Sequence, residues 1–173
     1  MKVIWRKQAA FLLGAFILVA VVYTLVQPRN DSIRSGELAP DFMVTDLEGK
    51  EIKLSDYRGK GVLLNFWGSW CAPCLSEMPR MNEAYRAGIP GTEILTVNVG
   101  ETRGTVEQFV HEHNLVFPVL IDPSGRAAES YRVNGLPSTF LIDGDGRIAS
   151  IMTGEMVSKD QIEQILKSLQ PKQ

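Results

Sequence analysis

Cysteine is scarce in this chain: 173 residues carry two, Cys71 and Cys74, and histidine is as rare, with His111 and His113 alone. That leaves little material for a zinc site. Two ligands would be needed beyond the cysteines, and imidazoles two positions apart on a helix point in different directions. No cysteine follows the N-terminal apolar run, which excludes lipid attachment there. Positive charge is not in excess either, and a net charge of −2 gives no general electrostatic reason to bind nucleic acid. Repeats and low-complexity tracts are missing, which leaves an ordinary globular mixture.

What is there begins with Lys2, Arg6 and Lys7, followed by an uncharged stretch from Ala9 to Val26. At 1.5 Å rise per residue such a helix is about 27 Å long, just enough to span a bilayer. Basic residues before it and a mixed flank after it place the N-terminus in the cytoplasm and the rest outside. The run closes on Leu25, Val26, Gln27 and Pro28 rather than on a small-x-small cleavage site, so an uncleaved anchor is expected. The expected organisation is a basic cytoplasmic N-terminus (1–8), a transmembrane anchor in the lipid bilayer (9–26), a tether (27–38) and one folded domain (39–173). The expected location is the cell membrane, single-pass, with the domain on the outer face.

Within the domain, Phe42–Thr45 and Glu51–Leu54 flank a turn and predict a hairpin at a sheet edge. Val62–Trp67, apolar except for Asn65, predicts a strand buried on both faces. Pro73 to about Ala87 has helical spacing, and Ile94–Val99 is a second buried strand. Thr105–His113 (helix), Phe117–Ile121 (strand) and Arg126–Tyr131 (short helix) form a central βα insertion. Strands Thr139–Asp143 and Arg147–Met152 around Gly144-Asp145-Gly146 follow, and the helix Lys159–Leu169, capped by Ser158, closes the chain. The fold class is α/β, a mixed sheet covered by helices, with an N-terminal β-hairpin and one N-terminal transmembrane helix.

The two cysteines form Cys71-Ala72-Pro73-Cys74 between a buried strand and a helix. A disulfide across so small a loop constrains the unfolded chain little, so redox cycling is a better reading than a structural bridge. At a helix N-terminus the unpaired N–H groups and the macrodipole favour a thiolate, which makes Cys71 the nucleophile. Cys74, one turn inside, is then the resolving thiol. Pro73 suits the first helical turn, where its missing N–H is not needed.

The run Asn65-Phe66-Trp67-Gly68-Ser69-Trp70-Cys71-Ala72-Pro73-Cys74 with Glu77 resembles the ResA-like branch of extracytoplasmic, thioredoxin-like thiol–disulfide oxidoreductases. Ala39-Pro40-Asp41-Phe42, Leu54-Ser55-Asp56, Val97-Asn98-Val99-Gly100-Glu101 and Leu136-Pro137-Ser138-Thr139-Phe140 extend the likeness along the chain. One departure is Ala72, where the namesake of the branch carries glutamate. The resemblance implies a thioredoxin-like fold and a redox-active disulfide with no bound cofactor and no metal. It implies Glu77 as the acid–base group of the cysteine pair, because Asn65 stands where thioredoxins place a buried aspartate and an amide cannot take that role. It also implies a cis peptide at Leu136-Pro137, facing the disulfide beside an extended substrate, with Trp70 on the exposed rim and Pro73 between the sulfurs. The implied partners are apocytochrome c, whose haem-binding cysteine pair is reduced before haem attachment, and a membrane thiol electron donor resembling CcdA. A general or spore-envelope disulfide reductase remains open, as do a non-enzymatic binding module and a thiol peroxidase. Against the peroxidase, Gly68 and Leu64 stand where peroxiredoxins carry threonine or serine and proline.

Overall fold

The computed structural model describes residues 16–19, 21–23 and 33–171. The chain divides into two compact units, Met1–Ser32 and Ile33–Gln173. In the first, the described residues 16–19 and 21–23 are helical; the rest of the expected anchor 9–26 lies outside the described residues. Among the described residues no helix is long and apolar enough to cross a membrane.

The second unit holds a seven-stranded mixed sheet in the order β2-β1-β5-β4-β3-β6-β7. Its strands are β1 (Met43–Asp46), β2 (Glu51–Lys53), β3 (Gly61–Trp67), β4 (Thr92–Val99), β5 (Val119–Asp122), β6 (Ser138–Ile142) and β7 (Ile148–Thr153). The helices are α1 (Ala72–Ala87), α2 (Arg103–Glu112), α3 (Arg126–Ser130) and α4 (Lys159–Ser168). β3, β4 and β5 run parallel, whereas β6 lies antiparallel to β3 and β1 antiparallel to β5. Every residue of β3 is buried, as its nearly continuous apolar run requires of a central strand covered on both sides.

Alternation along β3 sorts the core into two layers. Leu63 and Trp67 face Met78, Met81 and Ala84 of α1, Val106 and Phe109 of α2, and Ile162 and Leu166 of α4. Val62, Leu64 and Phe66 face the opposite layer with Phe42, Leu54, Ala127, Ala128 and Tyr131. Tyr131 meets Phe66 and Phe140 at ring-centroid separations of 5.3 and 4.8 Å and donates its hydroxyl to the Pro40 carbonyl. Burial pushes that phenol's pKa up, so it stays protonated as a donor.

Local differences from the sequence reading have local causes. Leu54 opens a 3-10 turn (Leu54–Tyr57) instead of ending β2, because Asp56 accepts the Lys53 amide hydrogen. α2 starts at Arg103, since Thr102 rather than a later residue caps it by accepting from the Thr105 amide. β5 starts only at Val119: Pro118 lacks an amide hydrogen, and its carbonyl accepts from Thr96. Residues 34–39, placed by the sequence mostly in a tether, pair with the edge at β7, where the Gly36 amide meets the Ile148 carbonyl at 2.7 Å and the Ile148 amide meets Glu37.

Candidate active site

β3 ends at Trp67, and the chain turns through Gly68, Ser69 and Trp70 into α1. Cys71 is the N-cap of that helix: its backbone is extended, and its sulfur accepts from the Cys74 amide at 3.3 Å. Ala72 and Pro73 fill the first helical positions, and no acidic residue occupies the first turn. The helix end therefore faces the sulfurs without a competing carboxylate from its own first turn. Cys71 and Cys74 are joined in a disulfide. Cys71 keeps 5% of its surface exposed and Cys74 none, so an outside partner meets Cys71 first. The helix continues through Pro79, whose missing N–H leaves the Leu75 carbonyl without its intrahelical donor.

Glu77 is fully buried on the inner face of α1. Its Oε1 accepts from Asn65 Nδ2 at 2.8 Å, and its Oε2 from the Met156 amide at 2.9 Å. A role as a mere helix-end acid fails, because Glu77 lies beyond the first turn and its carboxylate points into the protein. Burial raises its pKa, only partly opposed by the hydrogen bonds from Met156 and Asn65 and by the Arg80 charge. Asn65 also donates to Thr139 Oγ1, while its own Oδ1, like Trp67 Nε1 and Asn98 Oδ1, is buried without a hydrogen-bond partner among the described residues.

The Leu136-Pro137 peptide is cis, as the family resemblance implies. The register pairs Phe66 with Ser138, so Pro137 stands at the sheet end from which β3 runs into Cys71. Pro137 offers its carbonyl to the Gly154 amide at 3.0 Å. Trp70 is 71% exposed, which puts it on the rim as expected, and Pro73 is exposed beside the sulfurs. Trp67 belongs to the core, with its ring 5.1 Å from that of Phe109.

Three participants escaped the sequence reading. Met156 reaches Glu77 through its backbone, which no side-chain pattern reveals. Arg80 holds the same loop from outside, donating Nε to the Met156 carbonyl and pairing with Glu155 at 2.9 Å. Glu101, quoted only as part of a motif, accepts hydrogen bonds from Ser69 and Asn98. Burial opposes its ionisation, but the three donors outweigh that and hold its carboxyl below the usual range.

A disulfide at the N-cap of a helix, beside a cis-proline turn on a mixed sheet of this topology, defines a thioredoxin-like thiol–disulfide oxidoreductase. Residues 35–151 match the AhpC/TSA family. A thiol-disulfide oxidoreductase ResA from Geobacillus kaustophilus is 45% identical, with 96% of this chain and 99% of the relative aligned. One from Bacillus subtilis is 37% identical, with 96% of each chain covered. The crystal structure of StoA from Bacillus subtilis superposes with a TM-score of 0.66 at 28% identity, covering 74% of this chain and 97% of that one. The chain belongs to the ResA thiol-disulfide oxidoreductases, within the AhpC/TSA family.

Proposed function

We propose that this protein is a membrane-anchored reductant of disulfides outside the cytoplasm, and that its client is the haem-binding cysteine pair of apocytochrome c. The observation that carries the reading is the placement of Cys71 as a helix N-cap in front of a buried carboxyl group, Glu77. In the reduced protein the Cys71 thiolate attacks one client sulfur, and the other client sulfur leaves and takes up a proton. Cys74 passes its proton toward Glu77 and attacks the Cys71 sulfur; the bond from Cys71 to the client sulfur it first attacked breaks, that sulfur leaves and takes up a proton, and the protein closes its disulfide. Two electrons have moved to the client. A membrane thiol donor resembling CcdA returns them by the reverse sequence, with no cofactor and no metal.

The client peptide lies extended beside Leu136, whose amide and carbonyl are left without hydrogen-bond partners among the described residues, while Trp70 and Pro73 border the sulfurs. Residues 9–26 hold the protein in the bilayer, N-terminus inside. The location and the client rest on the anchor-like sequence and on the resemblance to ResA proteins.

Deleting the gene tests the client assignment. Holocytochrome c should fall and recover when a dithiol reductant is added outside the cells. Unchanged holocytochrome would remove the cytochrome assignment, leaving a general or spore-envelope reductase. A second expectation concerns Ala72. Introducing Ala72→Glu sets a carboxylate against the helix end and disfavours the Cys71 thiolate by about 0.3–1 kcal/mol. The reduction potential should then drop by roughly 6–20 mV, measured by equilibration with glutathione. A rise in potential would contradict this account.

A further inference from the structure

Glu101 lies just beyond the C-terminal end of β4, and both of its carboxylate oxygens are engaged. Oε2 accepts from the Ser69 amide and from Asn98 Nδ2, each at 2.7 Å, and Oε1 accepts from the Ser69 hydroxyl. Asn98 is fully buried and stands opposite Trp67 in the β3–β4 register. The carboxylate therefore ties the end of β4 to the turn that leads from β3 and Trp67 to the reactive cysteine. That turn is tight, with the Cys71 amide donating to the Gly68 carbonyl at 3.1 Å. The Trp70 indole lies across it so closely that a Cβ on Gly68 would sit 2.8 Å from Trp70 Nε1. Among the described residues, the hydrogen bonds that hold Ser69 in the Gly68–Cys71 turn are those to Glu101.

A carboxylate near a reactive thiol has two possible uses. As a charge it would disfavour the thiolate; as a pair of acceptors it would fix the backbone that presents the thiol. Here both oxygens are consumed by donors on the turn and on β4, which favours the second use. We propose that Glu101 is a positioning residue for exchange with protein disulfides, fixing the Gly68–Cys71 turn so that Trp70 and the Cys71 sulfur meet a docked polypeptide in one geometry. It would act in the same way on any protein client. A small disulfide, having no polypeptide to align, gains little from it.

Two conservative changes, only the first of them isosteric, separate geometry from charge. Glutamine keeps the reach and every hydrogen bond, because its amide can donate to the Ser69 hydroxyl while its carbonyl keeps both N–H donors. Aspartate keeps the charge and loses the reach. Each variant is compared with the wild-type protein using insulin as protein disulfide and an aromatic disulfide reagent as the small one. Glu101→Ala and Glu101→Asp should lose about tenfold in kcat/KM on insulin, mostly through KM, given how steeply rates depend on alignment. The small-disulfide rate should stay within about twofold, and Glu101→Gln should recover most of the loss on insulin. Amide hydrogen exchange at residues 68–71 should quicken in Ala and Asp but not in Gln. Equal losses on both substrates, no loss on insulin, or Asp outperforming Gln would each overturn the proposal. Should Glu101→Ala fail to fold, the order of Asp and Gln still decides it.

Discussion

Cys74→Ala is expected to turn the protein from a catalyst into a trap, with clients held on Cys71 as mixed disulfides. The sulfurs occupy unequal positions: Cys71 caps the helix with 5% of its surface open, and Cys74 is closed off beneath it. Attack from outside therefore reaches Cys71, and release of the client depends on a neighbouring thiol already held in place. Intramolecular attack of this kind carries effective molarities of about 10⁵ M or more, far above any millimolar external thiol. Steady-state insulin reduction should fall by at least about 10³-fold. Non-reducing electrophoresis should show adducts that collapse with dithiothreitol and vanish in Cys71→Ser. Turnover by Cys74→Ala at the wild-type rate would mean that the pair does not work as nucleophile and resolving thiol.

Glu77→Gln should slow exchange about 10²-fold near neutral pH, at the lower end of what a positioned acid–base group supplies. The substitution is sterically mild. Glutamine can keep the Met156 hydrogen bond with its carbonyl and donate its amide to Asn65, provided the Asn65 side chain turns its unpartnered Oδ1 toward the newcomer. Loss of rate would therefore report the missing proton site rather than a broken core. Stability gives an independent check. Because the folded-state pKa is raised above the ordinary 4.5, the native protein holds a proton that the unfolded chain has already released. Native stability then falls as pH rises through that window, and the fall is complete above the folded pKa. Glutamine removes this contribution, so the urea midpoint of Glu77→Gln should gain on the wild type as pH rises from about 4.5. Parallel curves, together with an unchanged exchange rate, would reduce Glu77 to a structural residue.

Sequence reading reached furthest where one residue's chemistry dictates its neighbourhood. The apolar run of β3, the Cys71–Cys74 pair on a helix start and the Ser158 cap, which accepts from Gln161, follow from short-range rules, whereas the cis Leu136-Pro137 bond came from the family resemblance alone. The strand order is harder, because β5 enters between β1 and β4 by pairings that no local pattern encodes. The surroundings of Glu77 were hidden for the same reason: Asn65 and Met156 lie twelve and seventy-nine residues away, and Met156 contributes only its amide. Glu101 was visible as a letter in a motif. Its two engaged oxygens emerge only when β4 is laid beside β3.

The short link after β7 has an unusual division of labour. The Gly154 amide grips the carbonyl beside the cis bond, and two positions later the Met156 amide grips the buried acid, while the Glu155 and Val157 side chains point to solvent or a surface ion pair. The spacing between the two amides is therefore what this link must keep, and its outward-facing letters are nearly free to drift. A single inserted residue there would pull one grip out of reach, disconnecting the substrate edge from the proton store even though no residue of either had been altered.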